Sequence, residues 1–80
     1  MEYTVYAIRS LKDESIYVGM SSDVSTRVGY HNLGYVFSTK GHRPYVLIFT
    51  EECSDRIEAR KREKYWKSGI GKEKLKNIPR

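Results

Sequence analysis

Arg27 and His31 are the side chains whose spacing points most directly to chemistry in this sequence. They lie four residues apart on a predicted helix, and residues at that spacing share one helix face. A guanidinium and an imidazole on one face can address the same anionic group, and a phosphate suits both. The structural alternative is that Arg27 is solvated and that His31 faces the dipole at the end of the helix. His42, farther along the chain, has no such partner in the sequence.

Two tyrosines, Tyr6 and Tyr17, lie on two predicted strands that form a hairpin. Aromatic pairs across neighbouring strands commonly serve packing alone, so the two residues considered by themselves indicate a core. Gly19, at the end of the second strand, could allow a bend or let the backbone of a substrate come close. These three residues indicate chemistry only in combination with others.

Glu63 is an isolated carboxylate within a run of cations over residues 60–67. Such a carboxylate commonly forms an ion pair with a lysine one turn away, and Lys67 is well placed for one. The functional alternative is a metal ligand, because a lone carboxylate can hold a Mg²⁺ ion that keeps most of its waters and also binds phosphate oxygens. The cations around Glu63 that could contact a polyanion are Arg60, Lys61, Lys64 and Lys67.

A hairpin must position Tyr6 and Tyr17, and a short helix must position Arg27 and His31. Residues 3–9 alternate β-branched and aromatic with smaller or polar side chains, and residues 16–19 follow a polar loop, which predicts two antiparallel strands. Val5 and Ala7 then face one side of the first strand, and Tyr6 and Ile8 face the other. Good N-cap residues at 21–23 precede a short helix that ends near Gly34.

The second half of the chain predicts one more strand and two helices. Residues 45–50 are apolar throughout, which indicates a strand covered on both faces, at the centre of the sheet or beside it. N-cap residues at 54–55 precede a helix over residues 55–68, and residues 71–78 form a last short helix. The order β-β-α-β-α-α predicts an α+β domain, a three-stranded sheet with helices packed on it.

The positive charge is concentrated in the last third of the chain. The sequence carries 15 Lys and Arg against 10 Asp and Glu, a net charge of +5. Residues 56–80 alone have a net charge of +7, whereas residues 1–55 have −2. This polarity favours a polyanionic partner, either nucleic acid or an anionic membrane surface, although helices rich in lysine and arginine also occur for solubility alone.

Length and composition exclude several classes of protein. Eighty residues make room for one small domain, residues 1–80. No apolar run approaches the ~20 residues that span a bilayer, and the N-terminus lacks the pattern of a signal peptide, so we expect a cytoplasmic protein with no membrane partner. One cysteine and two histidines exclude an internal disulfide and a structural zinc site.

Together these residues resemble the GIY-YIG nuclease family. The predicted hairpin contains Thr4-Val5-Tyr6 and Tyr17-Val18-Gly19, which are similar to the two halves of the signature, with Thr4 and Val5 in place of glycine and isoleucine. Arg27 and His31 follow on the first helix, and residues 58–67 are similar to the helix that carries the metal-binding glutamate of the family. The loop over residues 38–44 resembles that of small stand-alone bacterial members related to the nuclease subunit of excision repair.

The resemblance covers residues 3–78 and implies a central three-stranded antiparallel sheet flanked by helices. It also implies hydrolysis of DNA phosphodiester bonds with one divalent ion, Mg²⁺ or Mn²⁺, bound by Glu63. Tyr6 and Tyr17 would line the site, Tyr6 with His31 would deprotonate or orient the attacking water, and Arg27 would hold the scissile phosphate. A tyrosine with an ordinary pKa of about 10 is a poor base at neutral pH, so a nearby cation would have to lower the pKa of Tyr6.

We therefore expect a metal-dependent endonuclease that acts in DNA repair or processing. The α-helical cations at 60, 61, 64 and 67 and the basic C-terminal tail would contact the DNA backbone. Backbone contacts carry no sequence information, so specificity would require a protein partner. One alternative is a nucleic-acid-binding module without useful turnover that works within a larger complex, and another is a domain whose basic helices bind an acidic protein.

Overall fold

Three antiparallel strands and three helices make up the fold, in the chain order β-β-α-β-α-α. In this computed structural model, which describes residues 2–79, the elements are β1 (Tyr3–Ser10), β2 (Ile16–Ser21), α1 (Val24–Leu33), a 3-10 turn (Lys40–His42), β3 (Tyr45–Cys53), α2 (Arg56–Lys67) and α3 (Gly69–Lys76). The predicted α+β fold is confirmed. Both ends of the predicted 1–80 domain, and with them the last cation of its basic tail, lie outside the described residues. Over residues 2–79 no helix is long and apolar enough to cross a bilayer.

The sheet has the strand order β2-β1-β3, so β1 is its central strand. Strand β1 pairs antiparallel with both neighbours, and its register with β2 sets Tyr6 opposite Gly19 and Ile8 opposite Tyr17. Residues opposite each other, and residues two apart on one strand, project from the same face of a sheet. The register therefore brings the rings of Tyr6 and Tyr17 to one face as diagonal neighbours.

Each face of the sheet is covered by different helices, and the alternation predicted for β1 is confirmed. Val5 and Ala7 pack against residues of α2 and α3, including Ala59 and Leu75. Tyr6 and Ile8 pack on the opposite face with Tyr45 and with the α1 residues Val24 and Val28. Because β1 is buried on both faces, its side chains hold the two cores together and fix the positions of α1 and α2 relative to the sheet.

The prediction that residues 45–50 are covered on both faces is wrong. Strand β3 lies at an edge of the sheet, beside the central strand, and Val46 and Leu47 are each 41% exposed. Its register shifts between the partners of Ala7 and Ile8, which are Phe49 and Leu47, so Ile48 is an extra residue in the strand. Such a bulge interrupts the alternation of faces, and an apolar run carries no information about it.

Helices α2 and α3 meet at Ser68, which ends the first and begins the second. Asp55 caps α2 by accepting a hydrogen bond from the Glu58 amide at 2.8 Å, as predicted from its position. The Ser68 hydroxyl oxygen accepts a hydrogen bond from the Gly71 amide at 3.2 Å, so α3 begins at Gly69, two residues before the predicted start. This shared cap turns α3 back along α2 and onto the sheet.

Candidate active site

A buried chain of hydrogen bonds connects Tyr6, His31 and Thr39. The Tyr6 hydroxyl lies 2.8 Å from Nε2 of His31, and Nδ1 of His31 lies 2.8 Å from the Thr39 hydroxyl. All three side chains are almost fully buried. His31 therefore does not cap α1, and the part of the structural alternative that concerns His31 is wrong. The end of α1 is closed by Gly34, whose amide donates to backbone carbonyls of the last turn.

The direction of these two hydrogen bonds follows from a third one, which joins Thr39 to the backbone of Val36. Thr39 has one hydroxyl proton, and it donates to the Val36 carbonyl at 3.3 Å. With its proton directed to Val36, Thr39 accepts a hydrogen bond from Nδ1–H of His31, which leaves Nε2 of the neutral ring as an acceptor. The Tyr6 hydroxyl consequently donates to His31, and Thr39 fixes the tautomer that makes this possible.

Burial sets the protonation states of this pair. It raises the pKa of Tyr6 to about 12, and the neighbouring Tyr17 adds to the rise, while Arg27 opposes it. Burial lowers the pKa of His31, and the charge of Arg27 lowers it further. At neutral pH Tyr6 is thus a protonated phenol and His31 a neutral imidazole. Arg27 lowers the pKa of Tyr6, as expected of a nearby cation, but desolvation outweighs this effect and the pKa is raised.

Tyr17 and Gly19 shape the space around the Tyr6 hydroxyl. The ring centroid of Tyr17 is 6.3 Å from that of Tyr6 and 4.7 Å from that of His31, so the three rings form one cluster. The Tyr6 side chain crosses β2 at Gly19, where a Cβ atom would lie 2.7 Å from Tyr6 Oη. Glycine is therefore required at position 19 for the hydroxyl to occupy its place.

The charges of Arg27 and Glu63 both influence the Tyr6 hydroxyl. Arg27, partly exposed on α1, lowers the pKa of Tyr6, and Glu63 on α2 raises that pKa by its charge. The two charged groups thus lie close enough to act on one phenolic oxygen. Of the five predicted site residues, His31 and Tyr17 therefore contact Tyr6, and Arg27 and Glu63 influence its pKa.

Glu63 is a buried carboxylate with two cations beside it. Its Oε2 lies 3.4 Å from Nζ of Lys67, and its Oε1 lies 3.9 Å from Nε of Arg60. The ion pair with Lys67 predicted from the spacing is confirmed. Both cationic side chains are at least half exposed, so they are free to turn toward another anion, as ion pairs of this kind are weak.

The donor chemistry of the site fits a hard divalent cation held by a single protein ligand. Among residues 2–79 no group of three or more His, Cys, Asp or Glu side chains could hold a metal ion together. Glu63 offers a carboxylate whose charge acts on the Tyr6 hydroxyl, and Mg²⁺ is commonly bound by one or two carboxylates together with waters and phosphate oxygens. Glu63 is therefore the residue able to hold a divalent ion at this position.

The four predicted DNA-contacting cations all lie on α2. Arg60 and Lys67 lie beside Glu63, as described above. Lys61 and Lys64 are exposed on the helix surface and, together with Arg60, line a shallow groove of about 350 Å³. One helix thus presents both the candidate metal ligand and a cationic surface next to it.

Sequence analysis missed two residues that hold the site in place. Thr39 orients His31 from a loop, and no spacing rule links a loop threonine to a helical histidine. Asn32 fastens α1 to β3, because its side-chain amide bonds to both the carbonyl and the amide of Tyr45, at 3.1 and 2.7 Å. His42, for which the sequence indicated no partner, pairs with Asp13 at 2.5 Å on the surface.

Known proteins are similar to this chain in sequence. The sequence-family model of the GIY-YIG catalytic domain matches residues 2–77. A UPF0213 protein of Staphylococcus haemolyticus is 37% identical over 78 residues, which is 96% of this chain and 94% of that protein. A UPF0213 protein of Clostridium perfringens is 35% identical over 75 residues, 92% of this chain and 80% of that protein.

A solved structure agrees with these sequence matches. The solution NMR structure of a UPF0213 protein from Bacillus halodurans is 33% identical in sequence and superposes with a TM-score of 0.56, covering 94% of this chain and 82% of that one. The alignments with these relatives extend over nearly the whole chain, well beyond the tyrosine motifs. From the match over residues 2–77 and these relatives, this chain belongs to the GIY-YIG family.

Proposed function

We propose that this protein is a divalent-metal-dependent endonuclease that hydrolyses phosphodiester bonds of DNA, in repair or processing. The observation that carries the proposal is the buried hydrogen bond of 2.8 Å between the Tyr6 hydroxyl and Nε2 of His31, at a position where the charges of both Arg27 and Glu63 act on the Tyr6 hydroxyl. Hydrolysis of a phosphodiester needs a path for the proton of water, a cation for the phosphate and a group that stabilises the leaving oxygen. One nuclease domain, residues 1–80, supplies all three.

Tyr6 and His31 form the proton path. As the water oxygen bonds to phosphorus, one of its protons passes to Tyr6 Oη, and the Tyr6 proton passes to Nε2 of His31. The relay is needed because a pKa of about 12 leaves almost no phenolate at neutral pH, whereas the lone pair of Nε2 already faces the hydroxyl. Tyr17 packs on both rings and keeps them aligned.

Arg27 and Glu63 manage the negative charge. The Arg27 guanidinium binds the scissile phosphate and offsets the charge that develops on its oxygens in the transition state. Glu63 would hold Mg²⁺ or Mn²⁺, and such an ion would supply Lewis-acid stabilisation of the leaving 3′-oxygen. Lys67 and Arg60 turn from Glu63 toward the DNA backbone, where Lys61 and Lys64 also bind. A protein partner provides the sequence or structure specificity that backbone contacts lack.

A second candidate function is DNA binding without turnover, within a larger complex. The ion pairs of Glu63 with Lys67 and Arg60 favour it, because a carboxylate that stays paired with cations is a weaker metal ligand. The two candidates share the cationic surface of α2 and differ only in whether Glu63 binds a metal ion.

The test is cleavage of labelled duplex, single-stranded and branched DNA in the presence of Mg²⁺, Mn²⁺ or EDTA. The wild type is compared with Glu63→Gln, which removes the charge but keeps the shape of the side chain. Glu73→Gln is the matched control, since Glu73 is an exposed glutamate on α3. We expect metal-dependent cutting by the wild type and the control, and its loss in EDTA and in Glu63→Gln.

Two results would contradict the proposal. Cutting that persists in Glu63→Gln at the wild-type rate would remove Glu63 from the metal site. Tight binding with no cutting of any substrate, with any metal, would favour the second candidate. Isothermal titration calorimetry with Mn²⁺, on the wild type and on Glu63→Gln, then measures whether Glu63 binds a metal ion independently of turnover.

A further inference from the structure

Three exposed aromatic side chains lie in the segment of the chain that contains His31 and Thr39, and the nuclease mechanism does not use them. Tyr30 lies on α1, and Tyr35 and Phe37 lie in the loop that follows it; we call these three residues the aromatic patch. Tyr30 is 42%, Tyr35 72% and Phe37 93% exposed. Folding gains little from rings left so exposed, and grouped apolar side chains on a surface commonly mark a binding site.

The backbone of this loop is held in place by hydrogen bonds. The Tyr35 amide donates to the Tyr30 carbonyl at 3.0 Å, and the two rings are in contact, with centroids 5.7 Å apart. After Phe37 the chain is fixed by Thr39, whose amide and hydroxyl both donate to the Val36 carbonyl. Thr39 also bonds His31, so the loop that carries the rings is anchored to the candidate site itself.

The segment of the chain that carries the aromatic patch is cationic. Residues 24–50 contain Arg27, Lys40 and Arg43 and not one aspartate or glutamate. The guanidinium of Arg43 lies across Gly34, within 2.6 Å of where a Cβ atom would be, and so directly beside the Tyr35 backbone. Asp13 reaches this part of the chain from the β1–β2 loop, but its carboxylate is bound to His42. The patch therefore suits a ligand with flat apolar faces and negative charge.

The patch continues the candidate phosphate site along α1. Arg27 and Tyr30 are three residues apart and thus neighbours on one helix face. A strand whose phosphate is bound by Arg27 has its next bases within reach of Tyr30 and Tyr35. Bases of an intact duplex are stacked on one another and cannot lie on a protein ring, whereas unpaired bases can.

We infer that the aromatic patch is a stacking surface for unpaired nucleobases, so that the substrate is a nucleic acid with a single-stranded segment next to the bond to be cut. This inference rests on the proposed function. It assigns the choice of substrate to Tyr35 and Phe37, and with them Tyr30, on the α1 side of the site. The cations of α2 bind the backbone of any strand, paired or unpaired.

The test measures binding without cutting, so that its outcome does not depend on turnover. Full-length Glu63→Gln protein in EDTA is titrated into a fluorescein-labelled single strand, a blunt duplex of equal length and the same duplex with a single-stranded overhang. Tyr35→Ser with Phe37→Ser removes two rings that are exposed and have no role in the core. Ile70→Ser, which removes a 69% exposed apolar side chain from α3, is the matched control.

We expect the single strand and the overhang to bind more tightly than the blunt duplex. Loss of the two rings should weaken the binding of the single strand and of the overhang by roughly tenfold or more, which is the usual contribution of one stacked base. Binding of the blunt duplex should not change. The Ile70→Ser control should bind as the parent does. In a strand that carries 5-iododeoxyuridine, ultraviolet light should cross-link the modified base to a residue of the patch, identified by mass spectrometry.

Two outcomes would overturn the inference. Equal affinity for single strand and duplex, unaffected by the double substitution, would show that the rings do not hold bases, while a nuclease acting on duplex DNA would remain possible. A fall in molar mass on light scattering when the rings are removed, with no change in DNA binding, would assign the patch to contact between two copies of the chain. Absence of cutting by the wild type would count against the proposed function alone, because binding is measured separately.

Discussion

Substitution of Gly19 by alanine tests how the site is assembled. In the native structure the Tyr6 phenol crosses β2 over the Cα atom of Gly19. A methyl group at position 19 would lie 2.7 Å from Tyr6 Oη, 2.8 Å from its Cζ atom and 3.1 Å from Cε1 of Tyr17. To restore an ordinary contact of about 3.4 Å, the hydroxyl oxygen must move by roughly 0.7 Å, which stretches or breaks its 2.8 Å bond to His31.

The expected cost has two parts. Forcing an extra methyl group into a packed site costs about 1 to 3 kcal/mol, and leaving Nε2 of His31 buried without a donor costs a further ~1 to 3 kcal/mol. For a domain of this length the whole free energy of unfolding is roughly 4 to 12 kcal/mol, so Gly19→Ala should lower stability by a large fraction. A misplacement of about 1 Å at a reacting group costs on the order of a hundredfold in rate, so cleavage should fall by tens of fold.

Urea denaturation followed by circular dichroism, and cleavage under conditions where the variant is folded, measure the two effects. Gly29→Ala is the matched control, because Gly29 lies within α1 and a Cβ atom there meets nothing within 4 Å. Alanine should raise the stability of that helix by up to about 1 kcal/mol. Gly19→Ala protein that unfolds within about 0.5 kcal/mol of the wild type and cuts at the same rate would refute the assignment of Gly19 as the support of Tyr6.

Three further predictions concern the buried chain and the turn between α2 and α3. Thr39→Val should lower the free energy of unfolding by about 1 to 3 kcal/mol in urea, because Nδ1 of His31 loses its acceptor, while Thr39→Ser should keep the hydrogen bond and lose less. Burial lowers the pKa of His31, so below about pH 6.5 the unfolded chain binds a proton that the folded chain does not. The free energy of unfolding should therefore fall as the pH drops below about 6.5, by up to ~1.4 kcal/mol per pH unit. Denaturation of His31→Gln over the same pH range should lack this slope. Gly71→Ala should destabilise the fold by about 1 to 3 kcal/mol, because its Cβ atom would lie 2.6 Å from the Cα atom of Trp66 and only a shift of the backbone could relieve the clash. Gly41→Ala, whose Cβ atom would meet nothing within 4 Å, should melt near the wild-type temperature.

Local patterns predicted much of the fold because the features concerned depend on neighbouring residues. The alternation in residues 3–9 correctly assigned Val5 and Ala7 to one face and Tyr6 to the other, since side chains of a strand alternate whatever the strand packs against. The N-cap of α2 at Asp55 was likewise predicted, because a cap is a contact within four residues. The coverage of β3 was predicted wrongly, since which strand becomes central depends on pairing between distant parts of the chain.

The sequence by itself determined the types and order of the elements, the family, and the list of candidate residues. The ion pair of Glu63 with Lys67 also belongs to this group, because one helical turn fixes the distance between them. These properties follow from spacing along the chain, which needs no knowledge of what the chain packs against.

Only the tertiary structure decided how the site works. The partnership of His31 with Tyr6 and Thr39, the direction of its hydrogen bonds, and the rise of the Tyr6 pKa depend on burial and on contacts across 8 to 25 positions of sequence. The crossing of Tyr6 over Gly19 depends on the register of two strands, and the exposure of the aromatic patch depends on what the core leaves uncovered. Desolvation and register are properties of the packed molecule, because each requires groups distant in sequence to exclude water from the same place.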